Sequence, residues 1–388
     1  MKQNRKYYSL IDKVYKWSNL LDAWKAVKVN RGNGGIDGIT IEKFEIQPDM
    51  YLREIQRLLK ENRYEPDPVL RTYIEKDNGK LRPLGIPTIR DRVTQQAVRQ
   101  VIEPIFEKHF YNHSYGFRKG RSAHQAIDII RRAKRAGYNY VLDLDIQSFF
   151  DEIPHEELMK KVNEKISDGR VLNLLSSWLT AGIMEDDQFH ESKIGSPQGG
   201  VISPLLANIY LNHYDWEMQK KGFSIVRYAD DAVVLCKSRL KANQAYKVSK
   251  HVIEEELHLR MHPEKTKVVH FDEGFRFLGL DFWSDFLILP NDKVKKLKEK
   301  VRRITRRQQG RNVKQMIYKV NEVVRGFGNY YRVGNVKKKF TRLDQWIRMR
   351  IRAFIRKKRS TVSNSLIPNK VLKLCGLVSL ESLLITSS

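Results

Sequence analysis

A chain of 388 residues with 41% hydrophobic content can build two or three packed domains. Lysine and arginine total 72 against 45 acidic residues, and the net charge of +27 points to a polyanionic partner, most often nucleic acid. Two cysteines exclude a disulfide framework or a zinc ribbon, no signal peptide opens the chain, and no apolar run nears the ~18 residues of a membrane span, so a cytoplasmic protein with no membrane partner is expected.

In chain order, Ser18–Thr40 reads as a helix followed by a Gly-rich loop, "RGNGG". Val69–Thr88 reads as strand, "KDNG" turn and strand, closed by Pro83 and Pro87. A helix follows over Asp91–Phe110, and Tyr140–Val162 switches from strand to helix near Gln147. The next helical stretch ends near Gly182, and "KIGSPQGGVISP" is a Gly/Pro loop feeding another helix. "SIVRYADDAVVLC", Ser224–Cys236, is a β-branched hairpin; a helix over 241–257 and short strands around "KTKVVHF" and "FRFLGLDFW" follow. After the basic helices, the stretch from Ser360 is less charged and is expected to be a short packed tail.

The chemistry gathers at aspartates. Strand alternation in "YVLDLDI" puts Leu142, Leu144 and Ile146 on one face and Asp143 and Asp145 on the other. If this strand lies beside the Ser224–Cys236 hairpin, then Asp145, Asp230 and Asp231 converge. Three hard oxygen ligands call for Mg²⁺, with Mn²⁺ as a substitute. Two such ions ~3.5–4 Å apart can activate an attacking 3′-hydroxyl and stabilise a leaving pyrophosphate. Divalent cations would then offset the repulsion between adjacent carboxylates, which alone is common in surface turns.

The charge is concentrated late in the chain. Lys293–Arg359 holds 25 Lys/Arg and three acids, a net of +22. In "FTRLDQWIRMRIRAFIRKKR", Phe340, Leu343, Ile347, Ile351 and Phe354 form a buried stripe at helical spacing. Arg348, Arg352, Arg356 and Arg359 form a second stripe, expected to contact phosphates through their planar forks.

"RYADD" (Arg227–Asp231), "DLDIQSFFD" (Asp143–Asp151), "GSPQGGVISPLLANIYL" (Gly195–Leu211), "GKLRPLGIPT" (Gly79–Thr88) and "YGFRKGRSAHQAI" (Tyr115–Ile127) occur together. The set closely resembles the reverse transcriptases of bacterial group II introns and their free-standing relatives, from about Asn30 to Arg359. The resemblance implies an α+β right-hand polymerase. Residues 1–135 would be N-terminal extension and fingers, 136–288 a palm of antiparallel sheet plus helices, 289–360 a basic helical thumb and 361–388 the tail. It implies that Asp145, Asp230 and Asp231 are catalytic and hold the metals. Lys76 and Arg82 would clamp the incoming triphosphate, Gln198 would line the nucleotide pocket, Lys265 would lie near the active site, and "FLG" at Phe277–Gly279 would grip the primer end.

The same comparison makes an aromatic ring after Asp145 the barrier to a ribose 2′-hydroxyl. Phe149 is the favoured gate and Phe150 the alternative. Gln147 and His262 depart from the lysine and asparagine usual in these enzymes, without removing a metal ligand. No stretch matches the HNH nuclease of full intron proteins. The expected activity is RNA-directed DNA polymerisation, using primer and dNTPs on a structured RNA template. Two other readings are an intron maturase in which RNA binding is primary, and a domesticated antiphage-defence enzyme copying a dedicated non-coding RNA. An extended cationic surface including Arg118, Lys119 and Arg121 would hold that RNA; no oligomeric state is implied.

Overall fold

The computed structural model describes residues 6–75, 79, 81–192, 194–196, 199–306, 310, 312–357 and 366–385. It divides into two compact units, one formed by residues 1–130 and 140–268, the other by 131–139 and 269–388. Among the described residues no helix is long and apolar enough to cross a membrane.

In the first unit, the helix Trp17–Asn30 packs on Ile89–Glu107, each contributing a buried apolar face, with Leu20, Trp24 and Val27 on one and Ile89, Val93 and Ala97 on the other. Between them in sequence, β1 (Val69–Glu75) and β2 (Leu81–Ile86) form the expected antiparallel hairpin, in register from Leu70↔Ile86 to Glu75↔Leu81. Next comes β3 (Tyr140–Leu144), whose Leu142 and Leu144 are buried while Asp143 is only partly so. A short hairpin then appears that the sequence pattern does not announce, β4 (Ile183–Glu185) and β5 (Gln188–His190). Strands of three residues are too short for alternation to register. β4 pairs in parallel with β1, which widens the first hairpin into a sheet of order β2-β1-β4-β5.

The second sheet holds the aspartates. β6 (Ser224–Tyr228) and β7 (Asp231–Cys236) are antiparallel, and β7 also pairs with β3 from Tyr140↔Cys236 to Leu144↔Ala232. With β8 (Lys267–His270) the order is β6-β7-β3-β8. From Ala232 to Cys236 every residue of β7 is buried, as a central strand demands. The helix Ser203–Lys220 packs on β6, and the helix Arg239–Lys250 packs on β3 and β7. The latter continues as a π-helical turn, His251–Glu256, so the expected single helix changes its winding midway.

The second unit carries the meander β9 (Phe275–Phe277), β10 (Leu280–Trp283) and β11 (Phe286–Ile288), then the helices Asn291–Ile304, Val313–Tyr331 and Lys337–Ile355. The turn between β9 and β10 falls in the "FLG" motif, and the Tyr330 hydroxyl donates to the Leu278 carbonyl there at 2.8 Å. The apolar stripe of the last long helix is buried throughout, from Phe340 to Phe354. The arginine stripe fares differently. Arg352 is buried and donates to the Ile367 carbonyl at 2.8 Å and to Asn369 Oδ1 at 2.6 Å. This corrects its expected role: Arg352 holds the following chain against the helix and has no surface to offer a phosphate. Asp344, one face away, accepts from the Ser379 hydroxyl and from the Leu380 and Glu381 amides at 2.6–3.1 Å. Arg348 is half-buried and Arg356 exposed, while Arg359 lies outside the described residues.

Arg352→Gln should therefore lower stability by about 1.5–3 kcal/mol, the range for buried hydrogen bonds to a charged group. Arg356→Gln should leave stability unchanged and reduce the salt dependence of RNA binding by roughly one log–log unit or less. Denaturant melts and salt titrations of the two variants check the pair; the reverse assignment would show that Arg352 faces a ligand.

Candidate active site

The hairpin turn that presents the aspartates is tightly built. Tyr228 pairs with Asp231, leaving Ala229 and Asp230 as the two turn residues. Ala229 sits at φ +60°, a left-handed conformation unfavourable for a residue with a Cβ. Its carbonyl accepts from Arg227 Nη1 at 2.8 Å. That guanidinium is 1% exposed and grips Asp215, itself fully buried, through Nε and Nη2 at 2.6–3.0 Å. Its Nη1 also donates to Asn208 Oδ1 at 3.0 Å, and Asn208 Nδ2 donates to the Gly116 carbonyl at 2.9 Å. A Cβ on Gly116 would lie 2.3 Å from the Ala229 nitrogen, so only glycine lets the two loops meet. Backbone bonds from Tyr115 to Arg227 and from Arg227 to His113, at 2.8 and 2.9 Å, complete the join. Thus "YGF" and "RYADD" form one structural piece. Asp215 and Asn208 escape sequence reading; their only signal is a seven-residue spacing that puts two polar groups on one face of the helix, among its apolar positions.

Asp145 follows β3 directly. Its amide donates to Thr266 Oγ1 at 3.3 Å, and its carbonyl accepts from the His262 amide at 2.8 Å. The Lys265 ammonium lies 3.1 and 3.3 Å from the two Asp145 carboxylate oxygens, next to the acidic set. Burial raises the Asp230 pKa, the Asp145 charge adds to this, and Arg82 and Arg227 oppose it. Arg82, an exposed residue of β2, therefore acts electrostatically on the site. Asp231 is pushed up to about 7 by burial and then by Asp230, Asp145 and Asp143, with Lys265 opposing. It nonetheless keeps solvent-exposed surface, through which a cation can reach it. Asp143, not singled out as a ligand, is raised to about 6 by burial, with Lys267 opposing and Asp145 adding. Among the described residues no three His, Cys, Asp or Glu side chains are already drawn together as a metal-ligand group. The donor chemistry nonetheless suits a hard cation: mutually repelling carboxylates, one of them held by a lysine.

A cleft of about 230 Å³ is lined by Arg71, Pro83 and Gly85 of the β1–β2 hairpin, by Phe150, and by Gly195 and Ser196. The Gly195 and Ser196 amides donate to the Ile153 and Phe150 carbonyls at 2.9 and 2.6 Å. Gly199, at φ +120°, lies so near the β2 backbone that a Cβ would fall 2.3 Å from the Gly85 carbonyl oxygen. Gln95 fixes the end of this loop by accepting from the Val201 amide at 2.8 Å. Phe149 is 2% exposed and belongs to the core, meeting Phe150 edge-on at 5.2 Å. The preference for Phe149 as the gate is therefore corrected: Phe150 is the ring that lines the cleft. Arg71 was not anticipated; its Nε is buried without a hydrogen-bond partner, 3.9 Å from Glu185. Lys76 and Gln198 lie outside the described residues. Arg118 is also corrected, since it is 6% exposed and committed to Glu107 and to the Tyr111 and Ser114 carbonyls.

The carboxylate crowding has a measurable consequence. The folded protein keeps a proton on Asp231 up to about pH 7, whereas the unfolded chain releases it near 3.8. Stability of the metal-free protein should fall as pH rises through that window, because the folded state binds more protons. Asp231→Asn should melt higher than wild type at about pH 8 and converge with it near pH 4. Thermal melts in a chelating buffer test this; a difference independent of pH would contradict it.

A family model for reverse transcriptase (RNA-dependent DNA polymerase) matches residues 74–282. A model for the group II intron maturase-specific domain matches residues 294–371. The chain is 36% identical to protein YkfC of Escherichia coli K12, over 63% of this chain and 74% of that one. It is 33% identical to the group II intron-encoded protein LtrA of Lactococcus lactis subsp. cremoris, over 63% of this chain, and spans 50% of LtrA. A solved Cas6-RT-Cas1–Cas2 complex is 27% identical with a TM-score of 0.40, over 64% of this chain and 27% of that one. The first matched stretch takes in the end of β1, all of β2, Asp145 and the Asp230–Asp231 turn, and the chain belongs to the reverse transcriptase family, in its group II intron-type branch.

Proposed function

We propose that this chain extends a DNA primer on a structured RNA template with Mg²⁺ as the metal. The observation that carries the reading is the approach of Asp145 and Asp230 to Asp231, whose pKa is raised to about 7 by burial and then by those charges, while Lys265 opposes the shift at Asp231 and Arg82 that at Asp230. Asp145, Asp230 and Asp231 would hold the divalent cation, which supplies charge neutralisation and activation of the primer 3′-hydroxyl when bound. The remaining work falls to the chain. Arg82 presents a positive charge for the triphosphate on the hairpin that lines the cleft. Phe150 closes the cleft where a ribose 2′-hydroxyl would need space. The Arg227 cluster keeps the turn from shifting, so the carboxylates stay where they are needed. The match of residues 294–371 to the maturase-specific domain favours a second reading, in which holding an intron-like RNA matters as much as copying it.

Replacing both Asp230 and Asp231 by Asn should reduce Mg²⁺-dependent primer extension by at least about 1000-fold, roughly 4 kcal/mol of transition-state stabilisation. Binding of the RNA itself should be unaffected. A double variant that extends primers at near wild-type rate would sink the assignment. For sugar selection, Phe150→Ala should raise kcat/KM for CTP relative to dCTP by about tenfold. Phe149→Ala should instead cost about 3–5 kcal/mol of stability and leave the ratio unchanged, as a core truncation does. An altered ratio in the Phe149 variant alone would restore it as the gate.

A further inference from the structure

We propose that the second unit carries a pocket for an unpaired RNA nucleotide, with its base on Phe286, the ring that lines the pocket, where the stacked Trp283 extends the platform at the rim, and its phosphate on Arg131 and Arg135. The inference rests on the reading of RNA as the partner and adds to it a site built from residues outside the catalytic unit.

The platform comes from the β10–β11 hairpin. Trp283 and Phe286 are directly opposite in the register, so their side chains share one face of the sheet. The rings stack with centroids 6.4 Å apart and planes 29° apart. They are 50% and 53% exposed, an unusual expenditure of aromatic surface for two adjacent rings. The Trp283 indole is not loose, since its Nε1 donates to the Asp272 carbonyl at 2.7 Å. A pinned ring loses little freedom when a base stacks on it, and stacking tolerates any base because each has a π face.

The cationic wall comes from the last turn of the helix Ala123–Arg135. Arg131, Lys134 and Arg135 line a cavity of about 310 Å³ together with Phe286, above the buried Phe271. That volume accommodates a nucleobase and its sugar. Lys134 is already engaged, 2.8 Å from Asn139 Oδ1 and 5.3 Å over the Phe271 ring. Arg131 and Arg135 have no ion-pair or hydrogen-bond partner among the described residues. Their planar forks suit phosphate. Asp285, on the hairpin turn, is the single acid lining this cavity among the described residues and can accept from the donor edge of a base. Aromatic faces beside unpaired arginines match the chemistry of single-stranded RNA, where bases are free to splay out of a helix. An acidic protein surface would answer the arginines but has no need of two stacked exposed rings.

Two RNAs separate the possibilities: a stem–loop with an unpaired loop, and the same stem closed into a blunt duplex. Trp283→Ala with Phe286→Ala should weaken stem–loop binding about tenfold and change duplex binding less than about twofold. Arg131→Gln with Arg135→Gln should flatten the log–log salt slope for the stem–loop by about 1.4, near 0.7 per lost single-strand phosphate. Ultraviolet cross-linking of the wild-type complex should join the loop to the peptide bearing Trp283. Both variants should extend a primer on a short unstructured template normally, and the arginine variant, altered only on the surface, decides the matter if the aromatic one melts early. Equal loss on both RNAs, unchanged stem–loop affinity and slope, or cross-links confined to other peptides would overturn the pocket, including the case in which the surface serves a protein. If wild type bound the stem–loop as described but extended no primer, the polymerase reading alone would fail.

Discussion

The buried pair Arg227–Asp215 is the constraint around which the catalytic unit is organised. Both side chains are sealed from water, which is costly for charges unless geometry and hydrogen bonding are nearly complete. Here they are: the guanidinium satisfies a carboxylate, an amide oxygen and a backbone carbonyl at once. Removing one partner of such a pair typically costs about 3–5 kcal/mol. The same arginine therefore joins the helix Ser203–Lys220, the loop before Gly116 and the turn bearing Asp230. Three segments separated by up to about a hundred residues are fastened within one hydrogen-bond network, and the unfavourable Ala229 conformation persists because that network specifies it.

Around this anchor the site holds charges of one sign in close proximity. Asp143, Asp145, Asp230 and Asp231 arrive on two neighbouring strands and the turns that adjoin them, and the pKa values of Asp143, Asp230 and Asp231 rise together. The tension is relieved only in part by Lys265, Arg82 and Lys267, which come from separate elements. A site in this condition is poised to take up positive charge. It also shows why the fold must be rigid there: without the Arg227 hub, repulsion could be relieved simply by moving the turn.

Much of this arrangement is legible in the order of the residues. Asp145 stands at the end of an alternating strand, and Asp230 and Asp231 interrupt a β-branched run, so strand patterning puts each at a strand end, and the pairing of β3 with β7 brings them together. The apolar stripe from Phe340 to Phe354 is equally clear, because helical spacing reports a buried face. The failures have a common cause. Periodicity says which residues share a face, never what covers it. Arg352 lies on the arginine stripe, but the later chain folds over it. Phe149 and Phe150 are adjacent, and only the packing of the short helix they begin assigns one ring to the core. Asp215 and Asn208 matter through partners in other segments, which a local pattern does not contain.

Asp344 carries a consequence for how the protein can be taken apart. One carboxylate receives the hydroxyl of Ser379 and two successive amides, and Leu380 beside it has no exposed surface. The segment 366–385 is thus a structural lid sewn onto the last long helix, not an appendage to it. Trimming the chain after the final basic run would leave an orphaned acid facing an opened apolar seam. Any minimal fragment meant to retain the helical module has to keep these residues, although they bear little of the charge that gives the module its character.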